Sequence, residues 1–86
     1  MNTDNEVEYT AYTLFTYTTR HLSKSDKVRF YYALKGRDGK SGIISEYSVN
    51  QLTKTVLLVP PSKATDVDDF LTYWKCKHLS QEVLVR

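Results

Sequence analysis

The chain has a single cysteine (Cys76), one methionine, two prolines and three glycines among 86 residues. One cysteine excludes an internal disulfide and suits a reducing compartment. So little proline and glycine excludes collagenous and low-complexity architectures. No apolar run approaches the ~18 residues that span a bilayer, and no basic-then-apolar leader opens the chain. No membrane association is expected, and a cytoplasmic setting is. A large charge of one sign is missing too. Twelve Lys and Arg against ten Asp and Glu leave +2, too mild by itself to mark a nucleic-acid binder. The rest is ordinary: 41% hydrophobic and 26% charged residues. A chain of this length buries about 60–65% of its unfolded surface, enough for one core, so residues 1–86 are expected to form one domain.

Charge is spread unevenly along the chain. Residues 1–9 carry Asp4, Glu6 and Glu8 with no cation. Residues 20–40 hold Arg20, Lys24, Lys27, Arg29, Lys35, Arg37 and Lys40 against Asp26 and Asp38. Asp66, Asp68 and Asp69 precede Lys75 and Lys77.

Residues 27–35 alternate. Val28, Phe30, Tyr32 and Leu34 share one parity, and Lys27, Arg29, Tyr31, Ala33 and Lys35 share the other. A period of two predicts a strand with one apolar and one basic face. Asp38-Gly39 supplies the positive φ of a tight connection, residues 43–49 read as the returning strand, and residues 53–59 as a third. Pro60-Pro61 stops that strand, because neither proline can donate to a ladder. A helix is predicted over residues 65–78, with Thr65 as N-cap and Asp68 completing a capping box. Asp66, Asp68 and Asp69 suit its positive end, and Lys75, Lys77 and His78 its negative end. Val67, Phe70, Leu71 and Trp74 form its apolar stripe. Residues 81–86 read as a short strand or a tail. Residues 7–22 stay open: Thr10, Thr13, Thr16, Thr18 and Thr19 among aromatics favour strand, while Val7, Ala11, Leu14, Thr18 and Leu22 fit a helical stripe. The fold class is α+β: an antiparallel sheet of three or four strands with a C-terminal helix on one face.

Signals for catalysis are thin. Neither His21 nor His78 has a partner at a metal-ligand spacing, and Cys76 reads as a small buried hydrophobe. The aspartate group is explained by the helix dipole without a metal. Gly36, Gly39 and Gly42 lack the strand-to-helix context of a phosphate loop. No enzyme activity, cofactor or metal is expected. The constellation with chemical potential is the basic strand face. Lys27, Arg29 and Lys35 neutralise phosphates, Tyr31 stacks on a base or sugar, and Arg37 and Lys40 extend the surface from the loop. Tyr12, Tyr17, Tyr31, Tyr32, Tyr47, Tyr73 and Trp74 exceed what one small core needs, which places some at an interface.

The run from Lys27 through Tyr31 to Asp38-Gly39, followed by two strands and then Lys63-Ala64 and Asp66-Val67 opening a helix, resembles the Alu-domain proteins of the eukaryotic signal recognition particle. The smaller of those two proteins is the more similar, over residues 22–78. The resemblance implies an α-β-β-β-α chain that pairs with a homologous partner and grips folded RNA without catalysis. Lys27, Arg29 and Lys35 would then face RNA from the first strand, with Arg37 and Lys40 beside them. The reading is an RNA-binding module of a ribonucleoprotein, as a homo- or heterodimer, with structured RNA as partner. The alternative is a protein-binding adaptor or inhibitor, of the type phages and mobile elements encode, acting through Tyr9, Tyr12, Tyr17 and the acidic residues 1–9.

Overall fold

A computed structural model describes residues 8–86. Its elements run β1 (Thr10–Tyr17), α1 (Lys24–Lys35), α2 (Ile43–Glu46), β2 (Asn50–Thr53), β3 (Val56–Val59), a 3₁₀ turn at Pro61–Lys63, α3 (Ala64–Tyr73) and β4 (His78–Val85). The four strands form one antiparallel sheet in the order β2-β3-β1-β4. The fold is α+β, as expected, and the open first element is a strand. The order is not the α-β-β-β-α that the resemblance implies. Among the described residues no helix is long and apolar enough to cross a membrane.

The sheet buries one face. Phe15 and Tyr17 of β1 and Leu57 and Val59 of β3 share that side, opposite Phe30 and Leu34 of α1 and Val67 and Leu71 of α3. Each such side chain contributes about 1.5–3 kcal/mol on leaving water. Phe30 is the hub. Its ring centroid lies 5.7 Å from Tyr17, 5.4 Å from Phe70 and 5.7 Å from Trp74. The predicted stripe of α3 is therefore the one used. Among the described residues no helix covers the other sheet face, and Leu58, 7% exposed, lies there outside the core cluster.

Residues 27–35 are helix, not strand. The buried pair is Phe30 and Leu34, spaced i and i+4, with Tyr31 half-buried beside them. Ser23 caps the helix by accepting from the Asp26 N–H at 3.1 Å, and Asp26 sits in the positive first turn. Gly36 ends it at φ 82°, with its N–H donating to Tyr32 O at 2.7 Å. Exposed Val28 and Tyr32 produced the alternation and take no part in the core. The connection that follows joins two helices rather than a hairpin. Gly39 does adopt the expected positive φ, 74°. Gly42 is buried where a Cβ would stand 2.2 Å from Leu34 O, so only glycine lets α2 pack on the end of α1.

Residues 43–49 are not a strand: Ile43 to Glu46 form one helical turn, with the Ser45 and Glu46 N–H groups donating to Gly42 O. The strand over residues 53–59 is two pieces, because residues 54–55 turn β2 into β3. The last helix is shorter than residues 65–78. Lys63, not Thr65, is its N-cap, and it makes no side-chain cap bond. At the other end Lys75 takes φ 57°, Lys75 N–H bonds Thr72 O at 2.9 Å and Cys76 N–H bonds Leu71 O at 2.9 Å. That is a Schellman stop, which frees His78 to open β4. Residues 81–86 fall largely within β4, which pairs with β1 from Tyr17↔His78 to Thr10↔Val85.

Candidate nucleic-acid interface

The six residues expected to share a sheet face lie instead on α1 and the loop after it. At about 100° per residue, Lys27, Tyr31 and Lys35 fall on one side of α1 with Lys24. Arg29 lies more than about 100° round the helix from all four. Its guanidinium is 3.8 Å from the Asp26 carboxylate, so it is partly neutralised. Tyr31 is half-buried with its ring edge-on to Phe30 at 5.3 Å, and Lys54 Nζ lies 5.9 Å from its centroid. Arg37 covers the Tyr32 ring at 4.9 Å. Lys40 is exposed in a turn held by Asp38, whose Oδ1 accepts from Lys40 N–H at 2.8 Å and from Ser41 N–H at 3.0 Å. Those bonds hold the Asp38 carboxyl below its ordinary pKa, with the Lys40 N–H the largest cause. The expected wall is thus dispersed: Lys27 and Lys35 share a side of α1 but stand about 12 Å apart along its axis, and Arg29 and Arg37 are engaged elsewhere.

Cations meet in a different place, where β1 leaves the sheet and β4 enters it. Thr18 N–H donates to Lys77 O at 3.1 Å, tying the two connections together. Residues 19–22 then form a turn, with Leu22 N–H donating to Thr19 O at 3.0 Å, which puts Arg20 and His21 at its corners. His21 Nε2 donates to Trp74 O at 2.8 Å, fastening the turn to the end of α3. The Schellman stop projects Lys75 and Lys77 from the facing side. The result is a cleft of about 460 Å³ lined by Thr18, Arg20, His21, Lys75 and Lys77. A more open cleft of about 580 Å³, lined by Thr16, Tyr17, Thr18, Lys77, His78 and Leu79, shares two of its walls.

Electrostatics favour an anion in the first cleft. Among the described residues the ion pairs are Arg29–Asp26 and His78–Asp68, so Arg20, Lys75 and Lys77 face no carboxylate. The end of α3 supplies about half a negative charge, which three cations exceed. Lys75 also occupies a left-handed conformation that favours glycine, and such strain concentrates at functional sites. Tyr73, 79% exposed, precedes Lys75 by two residues and stands beside Trp74 with rings 5.8 Å apart.

The remaining titratable groups have structural partners. His78 Nε2 lies 2.7 Å from Asp68 Oδ1, and Nδ1 lies 2.9 Å from Cys76 O. Two acceptors require two donors, so the imidazolium is favoured and the pKa rises, the Cys76 carbonyl being the largest cause. Asp68 therefore serves His78 rather than the expected capping box. Burial pushes the Cys76 thiol up, away from the thiolate. Tyr17 is buried and donates its hydroxyl to Lys54 O at 2.8 Å, and burial pushes its pKa up as well. It is unavailable to the expected tyrosine-rich protein-binding surface, whose Tyr9 is exposed and Tyr12 half-buried; residues 1–7 lie outside the described residues. No group of three or more His, Cys, Asp or Glu among the described residues could hold a metal ion.

Sequence reasoning missed Arg20, His21, Lys75 and Lys77 as a unit. The available signal was position: Arg20 stands in the connection from β1 to α1 and Lys75 and Lys77 in the connection from α3 to β4, and they meet only because β1 and β4 are paired. No protein-family model, curated protein or solved structure matches the chain.

Proposed function

We propose that this chain is a non-catalytic RNA-binding module whose principal contact is the Arg20–Lys75–Lys77 cleft. One observation carries the reading: three cations and His21, drawn from distant connections, line one cleft that holds no carboxylate among the described residues. Phosphates enter the cleft, Tyr73 stacks on an adjacent base, and Lys24, Lys27 and Lys35 continue the cationic surface along α1. The reading rests on these charges and not on the family resemblance. A cytoplasmic setting goes with it, since Cys76 is kept as a free thiol in the core.

Fluorescence anisotropy with a structured RNA hairpin tests the reading. Lys77→Glu is expected to weaken binding at least about fivefold at ~0.1 M salt, as loss of a phosphate contact requires. Unchanged affinity would remove the cleft from the interface. A partner retained on the wild-type chain after RNase digestion would favour the protein-binding alternative.

A further inference from the structure

The two edges of the sheet are unlike. β2 has four residues and a register shift between Gln51 and Thr53. β4 has eight residues, pairs with β1 without a bulge, and contains no proline, glycine, lysine or arginine. Folded proteins blunt exposed edges with shortness, bulges, prolines or lysines. β2 shows the first two, and β4 shows none of the four. Two of the chain's exposed large apolar side chains also lie on β4: Leu79 at 77% and Leu84 at 67%.

The direction of the free backbone groups follows from the bonds on the other side. Tyr17 N–H donates to Thr55 O, on the β3 side, while Thr18 N–H donates to Lys77 O, on the β4 side. Alternate β1 residues therefore serve β3 and β4. By the register, Leu79, Gln81, Val83 and Val85 turn their backbone groups toward β1. His78, Ser80, Glu82 and Leu84 present theirs at the edge, where no strand among the described residues receives them.

We infer that β4 pairs antiparallel with β4 of a second copy of this chain, about a two-fold axis at Gln81. Directly opposed residues must face the same side of a sheet, so only registers that pair odd with odd and even with even are allowed. Centring on Gln81 aligns residues 78–84. Leu79 then opposes Val83 of the second copy, Ser80 opposes Glu82, and His78 opposes Leu84. The four outward-facing residues all fall in bonded pairs, giving about eight new hydrogen bonds. In this register Glu82 opposes the neutral Ser80 and lies diagonal to both His78 and Glu82 of the other copy, so the two carboxylates are not directly opposed. Moving the axis to Glu82 sets two carboxylates face to face, which is destabilising. Moving it to Ser80 leaves only residues 78–82 paired within the strand. The edge is thus complementary to itself in one register, giving a continuous eight-stranded sheet.

The inference is independent of the RNA reading, and its test needs no RNA. Sedimentation equilibrium of the full chain at ~100 µM is expected to give twice the mass of one chain. Gln81→Cys is expected to form a disulfide-linked dimer under oxidation, because opposed residues at the axis fall within disulfide reach. Glu82→Cys should not, since it meets Ser80. Ser80→Pro, which deletes one outward N–H, should leave a folded monomer. A monomeric wild type would overturn the proposal, as would cross-linking through Glu82→Cys and not Gln81→Cys. So would a wild type that is monomeric until an unrelated strand peptide is added. Should Ser80→Pro fail to fold, the two cysteine variants decide.

Discussion

Two regions of this molecule are rich in cations, and they are built differently. Along α1 and its following loop the charges are close together in sequence, and the structure disperses or engages them: Arg29 lies near Asp26 and Arg37 covers Tyr32. In the cleft the charges come from residues 20–21 and 75–77, and the structure gathers them without a carboxylate among the described residues. The dense region of the sequence is the diffuse region in space. A helix turns each residue about 100° from the last, so a run of cations is spread around it. Two paired strands bring the ends of their connections together whatever the distance along the chain.

The contrast yields graded outcomes. Reversing Arg20 and Lys77 together (Arg20→Glu with Lys77→Glu) should weaken RNA binding on the order of 50-fold at ~0.1 M salt, two phosphate contacts being lost. An effect below about threefold would erase the distinction between the regions. Lys75→Gly should move two observables in opposite directions. Binding falls about fivefold with the lost charge. Stability rises by about 0.5–1 kcal/mol, read from urea denaturation midpoints, because glycine relieves the left-handed strain at the Schellman position. A fall in stability would show that Lys75 serves packing.

A third outcome concerns the other cationic group near the cleft, His78, and its charge is read through pH. Its pKa is raised on folding, so its contribution to stability is complete below the unfolded value of about 6.5 and is lost as pH climbs through the folded pKa. The melting temperature should therefore decline as pH rises above about 6.5, and Asp68→Asn should flatten the decline while costing about 1 kcal/mol at the low end. Identical pH profiles for the two proteins would rule out this role for Asp68. The smallest effect belongs to α1. Arg29→Glu should change RNA affinity less than about twofold, because the side chain does not line the cleft, lies on a different side of α1 from Lys24, Lys27 and Lys35, and is already offset by Asp26.

Much of the fold is legible in the residues. The stop at Pro60-Pro61, the stripe Val67–Phe70–Leu71–Trp74 and the positive φ at Gly39 each follow from local chemistry, while the threonines and aromatics of β1 favour strand without excluding a helical stripe. α1 is the instructive failure. Phe30 and Leu34 fit both a period of two and a spacing of four, and exposed Val28 and Tyr32 complete the false alternation. The arbiters lay at its ends, in the Ser23–Asp26 cap and in Gly36, which read as punctuation of a helix. Residues 43–49 misled for a related reason, since one helical turn is too short to show its period. The cleft was not legible at all. It depends on β1 pairing with β4, and no local pattern in residues 18–21 or 75–77 announces that pairing.

The most direct measurement is the salt dependence of RNA affinity for the wild type and for the variant carrying Arg20→Ala, Lys75→Ala and Lys77→Ala. If phosphates are bound in the cleft, the slope of log K against log salt should be shallower in the variant by about 2–3, and the two lines should converge toward high salt. Parallel lines of equal slope would contradict the account, because they would mean that the gathered cations meet no phosphate.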